Sequence, residues 1–391
     1  MKFFSYGHQN ITQDDINAVV EVLKSDYLTQ GPALEKFEKA VCDYVGVKHA
    51  IACSNGTAAL HLAVMASGLS EGDLGIAPAI TFAASANCIS YCGGKVLFAD
   101  VDDTVTMSVK SCKQLLEKAK QKNNPIKVLI TVDMAGNKCD YDAFSRLKEE
   151  YGFVWISDAC HRIISEGGLN GPDMMVYSFH PVKHITTGEG GMIVTNSDFY
   201  AEKLRLNRSH GITKNASKFI NKSEAYDKNG NVNPWYYEMQ ELGFNYRMTD
   251  FQAALGCSQL KRLDYSIKRR NEIAKLYKEK LNGIKNIAFP KVSVSGTHTY
   301  HLVIALIDFE AVGKTRAQIM NELKTANIGT QVHYIPVPML PYYAKTNDLN
   351  KTPNAVSYYR KALSLPCYPE LSDEDVDYIC EKIKKAIIAN E

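Results

Sequence analysis

Two stretches decide how this chain is read: Ser157-Asp158-Ala159-Cys160-His161 and Ser178-Phe179-His180-Pro181-Val182-Lys183-His184-Ile185-Thr186-Thr187-Gly188-Glu189-Gly190-Gly191. Each follows a short apolar run, Phe153 to Ile156 in the first case and Met175-Val176-Tyr177 in the second, of the length of a buried strand. A buried strand that ends on a charged side chain delivers that side chain to the rim of its sheet. Asp158 is therefore expected at a strand end and Lys183 on a short turn after a later strand. Ligands collect at that rim in a parallel sheet.

Similar runs recur outward from this pair. Ala50-Ile51-Ala52-Cys53, Val96-Leu97-Phe98-Ala99, Val128-Leu129-Ile130-Thr131-Val132 and Gly191-Met192-Ile193-Val194 alternate with longer helical patterns. That rhythm predicts an α/β fold, a mainly parallel sheet flanked by helices on both faces. Ile16 to Lys24 and Leu34 to Val41 carry apolar residues at helical spacing and read as surface helices. Residues 212–236 turn polar, with Lys214, Lys218 and Lys222, and read either as a functional loop or lid or as a tolerated insertion. Thr249-Asp250 opens a helical pattern that runs to about Leu281. Beyond it, a strand over His301 to Leu306, a helix from Arg316 to Ala326, a strand over Gln331-Val332-His333-Tyr334 and a last helix from Asp373 predict a smaller C-terminal α/β domain. The expected division is 1–250 for the large cofactor-binding part, N-terminal segment included, and 251–391 for the linking helix and small domain.

The 391 residues hold 45 basic and 43 acidic side chains, a net charge of +2, so no long-range field draws nucleic acid or a membrane surface. An anion must be bound locally. No apolar run reaches the roughly 20 residues of a membrane span, and a cytoplasmic location is expected. The ten cysteines show no C-x-x-C pair and read as free thiols, Cys53, Cys88 and Cys257 as small core residues, with no metal site.

A lysine amine can form a Schiff base with an aldehyde, and a carboxylate against a pyridine nitrogen keeps that nitrogen protonated. Lys183 and Asp158 thus match the needs of pyridoxal phosphate. Freed from that bond, the same amine can carry a proton to and from the substrate carbon. Ser54-Asn55-Gly56-Thr57-Ala58 opens a helix after a strand, where small residues let a phosphate reach free N–H groups, Gly56 and Thr57 first; ordinary capping reads equally well from this segment alone. Ser178, on the same rim, offers another hydroxyl. Asp158 itself could instead cap the next segment, and His161 either faces the cofactor or is a partly buried histidine. Phe82, in Pro78-Ala79-Ile80-Thr81-Phe82-Ala83-Ala84, reads by itself as a core phenylalanine at a helix start.

Taken together, these residues resemble the DegT/DnrJ/EryC1/StrS family of sugar-nucleotide aminotransferases. The resemblance spans Tyr6-Gly7-His8-Gln9-Asn10-Ile11 to Ser364-Leu365-Pro366-Cys367. It implies a fold type I pyridoxal phosphate aminotransferase, with Phe82 over the pyridine ring, His161 by its hydroxyl, and Asn245, in Gly243-Phe244-Asn245-Tyr246-Arg247-Met248, reaching the cofactor phosphate of a partner subunit. A homodimer with shared sites follows. The family places a small residue after the histidine, whereas this chain has Arg162. A histidine at the lysine position marks a branch that dehydrates sugars; lysine here favours transamination. Val132-Asp133-Met134-Ala135-Gly136-Asn137, His180-Pro181-Val182-Lys183, Arg208-Ser209-His210-Gly211 and Gln331-Val332-His333-Tyr334 look most like the branch serving pseudaminic acid biosynthesis. That branch uses L-glutamate to aminate a UDP-linked 4-keto-6-deoxy-N-acetylhexosamine to UDP-4-amino-4,6-dideoxy-N-acetyl-β-L-altrosamine. The resemblance then sets Tyr6, Asp26, Tyr27, Leu28, Thr29, Gly56, Ser178, Asn245, Gln331, Val332, His333 and Tyr334 toward the substrate. A legionaminic, bacillosamine or perosamine precursor, or a non-catalytic sensor that binds pyridoxal phosphate, are the other readings.

Overall fold

In the computed structural model, which describes residues 2–293 and 298–387, seven short strands form the central sheet. They are β1 (His49–Cys53), β2 (Leu74–Pro78), β3 (Lys95–Ala99), β4 (Ile126–Val132), β5 (Val154–Asp158), β6 (Met174–Ser178) and β7 (Gly191–Thr195). Their order is β1-β7-β6-β5-β4-β2-β3. β3, β2, β4, β5 and β6 run parallel, and β7 lies antiparallel between β6 and β1. The expected α/β class holds. Six of the seven strands are legible as apolar runs; β2, Leu74-Gly75-Ile76-Ala77-Pro78, is masked by a central glycine and a terminal proline. Gly75 has no room for a side chain, because Ile89 Cδ1 lies 2.7 Å from where a Cβ would stand.

Alternate residues of each strand enter opposite layers. Ile51, Val128, Ile130, Ile156, Val176 and Ile193 face the layer that contains α3 (Gly56–Ala66). Ala50, Ala52, Leu129, Trp155, Tyr177, Met192 and Val194 face the other, where α2 (Pro32–Val45) packs. Because α3 is buried on every side it is apolar on every side, and each fully buried leucine such as Leu60 or Leu62 contributes about 2 kcal/mol. Asp250 caps α2 from outside its own sequence, its carboxylate accepting from the N–H of Gly31 at 2.9 Å and Ala33 at 3.0 Å. α1 (Gln13–Leu23) is tied by Asp15, buried and bonded to Arg262 at 2.5 Å.

Two expectations need correction. The pattern from Thr249 to Leu281 is two helices, Asp250–Leu260 and Leu263–Lys280. The N–H groups of Lys261 and Arg262 reach back only three residues, and the Arg262 guanidinium is drawn to Asp15 and Asn10, which breaks the axis without breaking the apolar spacing. Gln331 to Tyr334 is not a strand. Gln331 alone pairs, with Ser364, after which the His333 carbonyl accepts from the Tyr358 hydroxyl at 2.6 Å instead of joining a ladder. Residues 212–236, read as a functional loop or lid or as an insertion, carry local structure of their own: β8 (Ile212–Thr213) pairs with β9 (Glu238–Met239), and the Glu238 carboxylate gathers the N–H of Ile220 and of Asn221, each at 2.8 Å, and the Tyr236 hydroxyl. Lys218 pairs with Glu202, and Lys222 lies over the Tyr226 ring.

A second, antiparallel sheet of β10 (Ile287–Ala288), β11 (Val303–Ile307) and β12 (Ala362–Leu365) carries the C-terminal layer, with the helices Arg316–Thr325 and Asp373–Ile387. Its core takes in Phe4 from the far N-terminus, which exchanges backbone bonds with Asn327 at 2.8 Å and Gly329 at 2.7 Å. Two residues on, the Tyr6 carbonyl accepts from Cys367 N–H.

Candidate active site

Asp158 ends β5 and Ser178 ends β6, two adjacent parallel strands, so both side chains leave the sheet at one rim. The chain then turns through His180 to Lys183, whose N–H bonds the His180 carbonyl at 2.9 Å. The turn is closed by Phe179 N–H to Gly190 O and Thr187 N–H to Phe179 O. Gly190 permits this closure, since a Cβ there would sit 2.1 Å from Thr187 Oγ1 and 2.6 Å from Met248.

Opposite, α3 begins at Gly56, where a Cβ would come within 3.0 Å of Ser178 Cβ and 3.3 Å of Cys160 Sγ. Asn55 caps the helix through Ala58 N–H at 2.8 Å. Among the described residues nothing accepts from the N–H of Gly56 or Thr57, and the two groups stand at the positive end of the helix. This is a fit for a phosphate.

A cavity of about 980 Å³ opens between these elements and the C-terminal layer. Tyr6, Gly56, Thr57, Phe82, Asp158, His161, Ser178, Lys183, His333 and Tyr334 all line it. Asp158 accepts from the Ser85 hydroxyl at 2.6 Å and from Cys160 N–H at 3.1 Å, and it caps no helix. Phe82 is 59% exposed, its ring in the cavity mouth 6.0 Å from Tyr334; it is not a core phenylalanine. Burial holds Lys183 below the usual lysine range, Arg270 adding to the effect while Cys160 and Asp158 oppose it.

Seven expected residues fall outside this lining. Asp26, Tyr27, Leu28 and Thr29 lie exposed beside the start of the helix Asp250–Leu260, with Leu28 O accepting from Asp250 N–H and Thr29 bridged to Thr249. Asn245 is exposed and bridged to Ser209; Gln331 and Val332 precede the cavity wall. In an extended segment neighbours face opposite ways, and it is Phe244 and Tyr246 that enter the cavity, their rings stacked 4.9 Å apart with His61 against them. That alternation was readable in the sequence. His301, Glu189, Tyr91 and Cys160 also line the cavity and had no sequence signal of their own.

His161 is buried, with Nδ1 accepting from Ala135 N–H at 3.2 Å and Nε2 therefore free to donate to the Tyr334 hydroxyl at 3.2 Å. Arg162 explains its own departure from the family pattern. Its guanidinium is buried between Asp133, 3.5 Å away, and Glu166; Glu166 also takes Lys138 at 2.8 Å, and Asp133 accepts from the Tyr141 hydroxyl at 3.0 Å. These ties pin the turn that presents His161.

The sequence profile of the DegT/DnrJ/EryC1/StrS aminotransferase family matches residues 9–384. The chain belongs to this family. It is 37% identical over 394 residues to the spore coat polysaccharide biosynthesis protein SpsC of Bacillus subtilis, covering 98% of this chain and 97% of SpsC. It is 36% identical over 397 residues to the UDP-4-amino-4,6-dideoxy-N-acetyl-beta-L-altrosamine transaminase of Campylobacter jejuni, covering 97% and 98%. Among solved structures it resembles Helicobacter pylori PseC, an aminotransferase involved in the biosynthesis of pseudoaminic acid, with a TM-score of 0.87, 28% identity and 99% of each chain covered. It also resembles the PMP-form of the sugar aminotransferase Spr1654 from Streptococcus pneumoniae, with a TM-score of 0.85, 27% identity and 99% and 98% covered. As a member, the chain is a pyridoxal phosphate-dependent sugar aminotransferase. No helix among the described residues is long and apolar enough to cross a membrane.

Around the lysine, His161, His184 and His301 are each pushed well below the usual histidine range, by burial first and by the Lys183 charge as a further cause. In the unfolded chain each would titrate near 6.5, so below that pH the unfolded state binds protons that the folded state refuses. Stability should therefore fall as the pH drops from about 6.5, by up to about 1.4 kcal/mol per pH unit for each such histidine. Denaturant unfolding at pH 7.5 and 5.5 checks this. His184→Asn, outside the cavity lining, should lose close to one proton's worth of that dependence, and an unchanged dependence would show that His184 is not held neutral.

Proposed function

We propose that this enzyme transfers an amino group from L-glutamate to C4 of a UDP-linked 4-keto-6-deoxy-N-acetylhexosamine, the chemistry of pseudaminic acid biosynthesis. The observation that supports the reaction is the convergence on one cavity of Lys183, Asp158 and the unpaired N–H groups of Gly56 and Thr57. Support for the sugar comes from similarity to the Campylobacter transaminase and to PseC. SpsC, similar to the same degree, keeps another nucleotide-linked keto sugar, of legionaminic, bacillosamine or perosamine type, as the second reading.

Pyridoxal 5′-phosphate supplies an electron sink and a carrier for the amino group. Each residue has its part. Gly56, Thr57 and Ser178 hold the phosphate, through N–H groups at a helix start and two hydroxyls. Asp158, fixed by Ser85, holds a proton on the pyridine nitrogen, and Phe82 covers the ring face. Lys183 anchors the cofactor and, when released, carries a proton to and from C4 of the sugar. His161, neutral, donates its one N–H to the Tyr334 hydroxyl, which would leave that hydroxyl's own proton for a substituent of the ring. Tyr6 and His333, their rings 5.2 Å apart, form the wall for the sugar.

A homodimer accommodates the residues that miss the cavity. Ile220, Trp235, Met239 and Leu242 are 78%, 73%, 61% and 76% exposed, and Tyr27 and Leu28 are exposed as well. Surfaces of that kind mark an interface. In a dimer, Asn245 and residues 26–29 serve the partner's site. A cytoplasmic location suits the ten free cysteines.

Three outcomes are expected. Asp158→Asn should keep the fold and the cofactor but lower kcat by about 100-fold or more, since an amide does not hold the nitrogen's charge; near-normal turnover would assign the ring to another acid. Mixed Lys183→Ala and Asn245→Ala chains should recover part of the activity that each lacks alone, and a fully active monomer by light scattering would refute the shared site. With UDP-, GDP- and dTDP-linked 4-keto sugars, product mass spectrometry should show glutamate-dependent amination fastest on the UDP sugar of L-arabino configuration. Preference for the D-xylo isomer would move the enzyme to the bacillosamine or legionaminic type, and preference for GDP or dTDP would overturn the nucleotide. Bound cofactor with no turnover on any sugar would favour a sensor.

A further inference from the structure

His301 enters the cavity from the C-terminal layer, two residues ahead of β11, and stands against the lysine. Its Nε2 is 3.5 Å from Lys183 Nζ, a long contact at the outer edge of hydrogen bonding. Its ring lies 4.3 Å from that of His161 and 5.8 Å from that of His184. The side chain is 3% exposed, and its Nδ1 is fully buried with no hydrogen-bond partner among the described residues.

The unpartnered nitrogen assigns the tautomer. A buried N–H without an acceptor is rarer and more costly than a bare ring nitrogen, so Nδ1 is bare and the proton sits on Nε2, toward Lys183. An N–H donor needs a lone pair. An ammonium has none, whereas a neutral amine has one. The contact is therefore complete only when Lys183 is neutral.

We propose that His301 is a positioning residue for Lys183: it donates Nε2–H to the lysine's lone pair, which keeps the amine uncharged and aimed into the cavity. The surroundings agree. Lys183, His161, His184 and Arg270 face His301, so a second proton on its ring would meet only cationic or neutral partners. Around Lys183, burial is the chief influence toward the amine and Arg270 adds to it, while Cys160 and Asp158 favour the charged form; a histidine donor acts in the same direction as burial. His161 shows the same pattern, a bare Nδ1 and an Nε2–H turned to a cavity group. This inference rests on the role proposed for Lys183.

The tautomer can be observed directly in the full-length, cofactor-free chain by long-range proton–nitrogen NMR with labelled histidine, the His301 signals being identified by their loss in His301→Gln. Nε2 should be protonated and Nδ1 bare between pH 6.5 and 8.5; protonated Nδ1, or a doubly protonated ring, would overturn the proposal. Stopped-flow capture of pyridoxal phosphate by the same chain gives a second readout. His301→Gln, which retains a donor, should capture within about 3-fold of the wild-type rate at pH 7.5, and His301→Phe, which has none, should be slowed about 10-fold, the range of one hydrogen bond. An unchanged rate and pH profile in His301→Phe would also overturn it. Should that variant not fold, the NMR result still decides. Borohydride reduction and peptide mapping of the wild type keep the two levels apart. A cofactor adduct on another lysine defeats the role of Lys183 itself, whereas an adduct on Lys183 with an indifferent His301→Phe defeats only the inference about His301.

Discussion

Backbone contact between α3 and the strands beside it is the constraint on which the site depends. A Cβ at Gly191 would lie 2.4 Å from the Asn55 carbonyl, so the first turn of α3 rests directly on the start of β7. With Gly56 pressed against Ser178 and Gly190 folded onto Thr187, three glycines remove the side chains that would otherwise hold helix, strand and turn apart. The helix dipole, the Ser178 hydroxyl and Lys183 thereby share one small volume. None of these groups is unusual by itself. Their use comes from an approach distance that only an absent side chain allows.

The groups around that volume are buried, and the protein meets the electrostatic cost in two ways. Arg162, Asp133, Glu166 and Lys138 are mutually paired and bonded, so removing one member would strand another in the interior. The histidines nearer the cavity are kept neutral, and their polarity is expressed as directed N–H groups. A rigid ionic base thus carries a neutral polar lining. That division suits a site in which charge must rise and fall during turnover.

Most of the large sheet was legible because buried parallel strands read as apolar runs, and Asp158 was legible because it ends such a run and Lys183 because it sits on a short turn after one. β2 was hidden by Gly75 and Pro78, which usually mark turns. The break at Arg262 was hidden because the apolar spacing continues across it, and Gln331 to Tyr334 looked like a strand although its pairing stops after Gln331 and the His333 carbonyl bonds a side chain. In the site, Gly56, Thr57, Ser178 and Phe82 were read from local context, and Phe82 needed the structure to separate a cavity ring from a core ring. His301 could not be found that way. It lies 118 positions from Lys183, and only the packing of two layers brings them together.

The N-terminal segment gives the cavity a particular order of assembly. Tyr6 lines the cavity, yet it is held there by Phe4 seated in the C-terminal core and by Cys367. Residues made early must therefore wait for the C-terminal layer before they have a place to dock. The sheet of β1 to β7 can form while synthesis continues, but its ligand chamber lacks a wall until that layer has been made. During that interval Phe4 and Tyr6 are exposed apolar groups, open to chaperones and to wrong partners.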